Sequence, residues 1–180
     1  MPVRTETYNM FASNDKRRDA TVWDCRGVEY TKRYQDTGFW LGKYRPNTEN
    51  NATSGDKDLN YNNNLRVYRV AEAYLNAAEL LLETGGDANQ AKDYVNKIRN
   101  RAGIAELGAV TLDDVINERR LEFVGEGKRY FDLVRTGKAA SVLVPDEYGY
   151  RTNSWTESKK YIPIAQAELD SDPALVQNNY

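Results

Sequence analysis

Through the middle of the chain, apolar side chains recur three or four positions apart, a spacing that predicts helices. Val67, Val70, Ala71, Tyr74, Ala78 and Leu81 or Leu82 share one face until Gly85-Gly86 stops the run. Asp87, with Gln90 three residues on, predicts a helix cap, and Ala91, Tyr94, Val95, Ile98 and Ala102 carry a second stripe as far as Gly103. Helices joined by so short a turn pack antiparallel, and Ala71, Ala77, Ala78 and Ala91 let the backbones approach. A third helix is predicted over Thr111 to Val124, capped by Thr111 with Asp114 and buried through Leu112, Val115, Ile116 and Phe123. The N-terminal third reads differently. Ala20 to Cys25, Val28 to Tyr34 and Phe39 to Tyr44 are short runs rich in Val, Thr, Tyr and Trp, broken by Gly27, Gly38 and Pro46, and they predict two or three short strands or extended segments in a hairpin-like layer. After Lys138, Val142 to Val144 and Tyr161 to Ile164 predict extended pieces around a polar loop carrying Tyr148, Tyr150 and Trp155, and Pro163 and Pro173 rule out a long helix. The pattern as a whole predicts a mainly α fold in one domain of 180 residues: a helical core over 65–137 between loop-rich layers with a few short strands at 1–64 and 138–180.

Charge changes this picture most between Asn117 and Gly137, reading NERRLEFVGEGKRYFDLVRTG. Glu118, Glu122 and Glu126 step by four residues, with Arg119 and Arg120 among them and Arg129, Asp132 and Arg135 beyond, around a spine of Leu121, Phe123, Val124, Tyr130, Phe131, Leu133 and Val134. The arginine fork binds carboxylates bidentately and stays charged when partly buried, so these residues predict a semi-buried ion-pair lattice. Gly125 and Gly127 break the helix, Lys128 to Arg135 restarts it, and Gly137 closes it. Arg119→Ala is expected to cost roughly 3 to 5 kcal/mol by leaving a buried carboxylate unpaired. Two of these glutamates could lie about 5 to 6 Å apart on one helix face, the separation of a retaining glycosidase. The surrounding arginines argue against a protonated general acid, so no catalytic residue and no enzyme activity is assigned.

Composition narrows the function classes further. A net charge of -2 gives no basic excess for nucleic acid, and the absence of histidine removes the usual nucleophile systems and the commonest metal ligand. Cys25 stands alone, so neither an internal disulfide nor a zinc site is available. In the polar stretch Asn47 to Asn64, which predicts a solvated loop, Asp56, Asp58 and Asn60 imitate the start of a calcium loop. Tyr61 stands where Gly is required and Val67 where the closing Glu belongs, so no metal and no cofactor is expected. Thirteen Tyr and three Trp against four Phe favour rings with a polar handle. Sugars present flat C–H faces rimmed by hydroxyls, which makes Trp23, Tyr30, Tyr34, Trp40 and Trp155 candidate platforms, with Tyr8 and Phe11 beside them; packing is the competing role for each ring.

Two resemblances add to this reading. AEAYLNAAELLLETGGDANQAKDYVNKI resembles one tetratricopeptide unit, which cannot bury its own faces and calls for neighbouring helices. In such a unit a groove lined by Tyr74, Asn76 or Asn96 is the candidate partner surface. NERRLEF, EGKRYFDLVRTGK and YIPIAQAELDSDPALVQNNY resemble the C-terminal signature of the SusD/RagB family, as does DKRRDAT with Asp15, Arg17 and Arg18, which otherwise reads as a charged turn. The chain departs from that signature at Ala165 and Asn179, where Pro is usual. The resemblance implies a surface-exposed, lipid-anchored protein of a Gram-negative outer membrane that binds an oligosaccharide or polysaccharide, without cleaving it, for a SusC-like TonB-dependent transporter. It also implies that the leader and lipid-bearing cysteine belong to a longer parent, and that part of the sugar site lies upstream. Peptide cargo and a helical protein-interaction module are the alternatives.

Overall fold

The computed structural model describes residues 1–45, 66–146 and 149–180, so the calcium-like stretch from Asp56 and the ring of Tyr148 lie outside the described residues. These residues form two compact units, Met1–Lys128 and Arg129–Tyr180.

In the first unit, α1 (Thr5–Asn9) and α2 (Lys16–Thr21) precede β1 (Val22–Asp24) and β2 (Phe39–Leu41). Three longer helices follow: α3 (Val70–Glu83), α4 (Ala88–Ala102) and α5 (Leu112–Glu122). Helix α3 begins at Val70, so Val67, the first residue of the predicted stripe, precedes it and is exposed. Leu75, Ala78, Ala91, Val95 and Val115 are fully buried where the three helices meet. The Asp87 carboxylate accepts from the Asn89 and Gln90 amides at 2.8 and 3.1 Å, satisfying two orphan donors of α4. Asp87→Ala should therefore lower stability by about 1 kcal/mol, read as a fall in thermal midpoint; a melt unchanged from the parent would contradict this role. The helix closes at Gly103, whose φ of 76° sends the chain back so that the Ile104 amide reaches the Arg99 carbonyl. Asn96 then clamps Leu107 through both its amide N–H and carbonyl, at 3.0 and 2.9 Å, and a Thr111/Asp114 capping box starts α5.

The three residues of the predicted tetratricopeptide-like groove each have partners within the fold. Asn96 is buried and satisfied, Tyr74 stacks on Tyr94 at 5.4 Å with the Lys97 ammonium above it, and Asn76 accepts from Arg119.

The N-terminal layer packs Val3, Phe11, Val22 and Phe39 into a second small core, with Tyr8, Leu41, Leu121 and Val124 around them. Strands β1 and β2 pair antiparallel with Trp23 opposite Trp40. Residues 1–3 cover the other edge of β2, through Val3 N–H to the Phe39 carbonyl and Leu41 N–H to the Met1 carbonyl. With both edges of β2 used, Val28 to Tyr34 pairs with neither strand and is irregular, which leaves two strands of the two or three expected. The charged-turn reading of DKRRDAT also gives way. Asp15 caps α2 by accepting from the Arg17 amide, and both side chains are buried.

The second unit contains α6 (Arg129–Arg135), α7 (Ala139–Val142), a 3-10 turn at Glu157–Lys160 and α8 (Gln166–Ser171). Leu133 and Ala139 are buried, whereas Phe131, assigned to the apolar spine from sequence, is exposed. Val142 ends α7 instead of starting an extended piece, because its amide and that of Leu143 bond back to Lys138 and Ala139. Near the end of the chain, the Gln177 amide accepts from the Ile164 N–H and donates to its carbonyl, which holds the extended run before α8.

Candidate functional site

Two arrangements stand out in the first unit, one of charge and one of rings. The acids of α5 and the turn after it collect cations from several segments. Glu118 bonds Arg17 at 2.6 Å and Arg99 at 2.9 Å. Glu122 takes Arg17, Arg69 and Arg101 at 3.2, 2.8 and 2.5 Å, and Glu126 takes Lys43 and Arg69 at 2.6 and 2.8 Å. All three carboxylates are buried, and every oxygen accepts from a charged donor, so none is aimed at a cleft as glycoside chemistry requires. Arg17 is the hub, since it also bonds Asp15 at 2.7 Å. Arg119, which sequence places among the acids, donates to Asn76 and lies over the Phe123 ring. Arg120 is half-buried with its guanidinium pushed down by burial, and Glu6 is the acid that acts against that shift. In the second unit Arg129 opens α6, and Asp132 pairs with Arg135 at 2.8 Å within it.

Burial pushes the Glu126 carboxyl up, yet its bonds to Arg69 and Lys43 outweigh burial and hold it below the usual carboxylate range. Burial prevails at Lys43 and pushes that ammonium down, so Arg69 is the stronger partner of the two. A carboxyl lowered on folding contributes stability that is complete above its unfolded value of about 4.3 and is lost as pH falls through the folded value. Glu126→Gln should therefore lose less thermal stability than the parent between pH 7 and pH 3.5. Equal losses would show that Glu126 carries no such linkage.

The ring arrangement centres on Asp36, which the sequence reading did not single out. Its carboxylate accepts from the Tyr30 hydroxyl at 3.0 Å, the Trp40 indole N–H at 3.2 Å and the Gly38 amide at 2.8 Å. Burial raises its carboxyl, but these donors together hold it low. The available signal was Asp-Thr-Gly, since Asp two residues before a Gly forms a side-chain turn that folds the loop over its own carboxylate. Arg26, Tyr30, Lys32, Asp36 and Thr37 line a cleft of about 350 Å³ here. Trp23 and Trp40 share the outward face of the ribbon, opposite the buried Val22 and Phe39, as strand alternation requires. Trp23 remains 44% exposed, under the Arg45 guanidinium at 5.0 Å from its ring. Tyr34 is almost fully exposed on the same loop.

The remaining candidate rings lie elsewhere. Tyr8 stacks on buried Phe39 at 4.1 Å, and Phe11 is core, so both serve packing. Trp155 belongs to the second unit. Among the described residues no cluster of potential ligands could hold a metal ion, and no helix is long and apolar enough to cross a membrane.

Comparison with known proteins places this architecture. Residues 27–180 match the SusD family. SusD-like protein P25 of Formosa agariphila is 34% identical over 94% of the chain and 32% of its own length. Among solved structures, surface glycan-binding protein A from Bacteroides uniformis superposes with a TM-score of 0.91 at 64% identity, over 99% of this chain and 41% of that one. The Bacteroides thetaiotaomicron counterpart, solved in complex with laminarihexaose, gives 0.90 at 55% identity over the same shares. The chain thus spans less than half the length of these relatives. With the family pattern matched over most of its length and the helical architecture shared, the chain belongs to the SusD family.

Proposed function

We propose that the protein captures a laminarin-type oligosaccharide at the outer-membrane surface and passes it, uncleaved, to a TonB-dependent transporter. The likeness to the laminarihexaose-bound relative, at 55% identity over 99% of this chain, carries the reading. Within the chain the residues assigned to the sugar are Trp23, Tyr30, Tyr34 and Trp40. The first and last supply flat faces, and Asp36 fixes the orientation of Tyr30 and Trp40 through their polar handles. Holding those rings before the ligand arrives lowers the ordering cost of binding.

Calorimetric titration of the intact protein with laminarihexaose, and with maltohexaose as control, tests the reading. Saturable heat with laminarihexaose and no shortened sugar is expected. Trp40→Ala should weaken binding about tenfold, the worth of one good ring contact. No heat with laminarihexaose, or release of shorter sugars, would overturn the proposal.

A further inference from the structure

The second unit has a pocket of its own, about 340 Å³, whose walls include Leu143, Tyr150, Thr152, Asn153, Trp155 and Lys159. It is built by a loop that folds back on itself. Asp146 accepts from the Tyr150 and Arg151 amides, Arg151 donates to the Val142 and Val144 carbonyls, and the Trp155 amide bonds the Leu143 carbonyl. The Tyr130 hydroxyl and the Lys159 carbonyl tie α6 to the 3-10 turn beneath it. Among the described residues that line the pocket one polar group is left over: the Trp155 indole N–H is buried and has no acceptor. A donor left without a partner on the wall of a pocket is one that an accepting oxygen of a ligand there would satisfy.

The chemistry of the walls limits what that acceptor can be. Among the described lining residues donors prevail, since Trp155, Lys159 and the Asn153 amide stand with no carboxylate beside them. Tyr150 and Trp155, both half-buried, supply ring surface. A ligand with accepting hydroxyl oxygens around a flat C–H face meets both conditions. The geometry points to a second saccharide-binding site at Trp155, separate from the rings around Asp36, which takes one short stretch of the captured glycan. This inference rests on the glycan reading above.

The test follows the Trp155 indole N–H resonance in the intact, isotope-labelled protein, assigned by its disappearance in Trp155→Phe. Titration with laminarihexaose should move it downfield and saturably as the hydrogen bond forms, and the movement should persist when the first site is disabled by Trp40→Ala with Asp36→Ala. Trp155→Ala should reduce the calorimetric stoichiometry for laminarihexaose from two to one. If Trp155→Ala does not fold, Asn153→Ala and Trp155→Phe replace it, each expected to weaken the second event alone. An indole resonance that stays in place through saturation of the first site would overturn this site and leave the glycan reading intact. Movement that vanishes in the first-site variant would also overturn it, while no heat and no movement would overturn both.

Discussion

Arg17→Ala is expected to destabilise the protein by about 3 to 5 kcal/mol, the cost of removing one partner from a buried ion pair. For a chain of this size that is a fall in thermal midpoint of roughly 6 to 20 °C. The guanidinium is buried and joins Asp15, Glu118 and Glu122 at 2.7, 2.6 and 3.2 Å. Truncation would leave the Asp15 carboxylate without its ionic partner inside the fold, and would strip one oxygen each from Glu118 and Glu122. Arg17→Lys should recover only part of the loss, since an ammonium cannot reproduce the planar fork. Thermal melts of the three proteins check this. An Arg17→Ala variant within about 2 °C of the parent, a shift worth no more than roughly 1 kcal/mol, would end the claim.

The second large effect is expected at Gly125. Its φ of 79° is left-handed, and a Cβ built there would lie 2.5 Å from a Leu41 methyl, closer than two carbons can approach. Gly125→Ala should cost about 2 to 4 kcal/mol, of which roughly 1 to 2 is backbone strain and the rest overpacking. The two parts separate in a double-mutant cycle. In a Leu41→Ala background the clash is gone and the strain portion alone should remain. Additive costs in the cycle would show that Leu41 is not what Gly125 makes room for.

How legible this was in the sequence depends on the range of the interactions involved. Helices α3, α4 and α5 are written locally, in apolar spacing and in the caps at Asp87 and Thr111, and their boundaries fall within a few residues of those predicted. Helices α1 and α2 are five and six residues long, too short for a periodicity to show. The strand pair was legible in its β-branched and aromatic residues. The failure of Val28 to Tyr34 to join it was not, because that depended on residues 1–3 taking the edge of β2. The same limit governs the charges. Steps of four residues revealed the acids of α5, but nothing near Arg17 in the chain announces partners 101 and 105 positions away. At the ring cluster, Tyr30 and Trp40 could be chosen by type, whereas Asp36 emerges only once the loop has brought both polar handles to one oxygen.

The charge network also sets an order of events during synthesis. Every cation that serves Glu118, Glu122 and Glu126 lies earlier in the chain than the acid it meets. A ribosome adding roughly 5 to 20 residues each second delivers Glu118 some 5 to 20 s after Arg17. For most of that interval the residues up to Leu41 have been made while α5 does not yet exist. Within this chain the layer carrying Trp23, Tyr30 and Trp40 is thus made well before the acids that fix Arg17, so the nascent protein passes through a long stage in which that layer waits for its counterions.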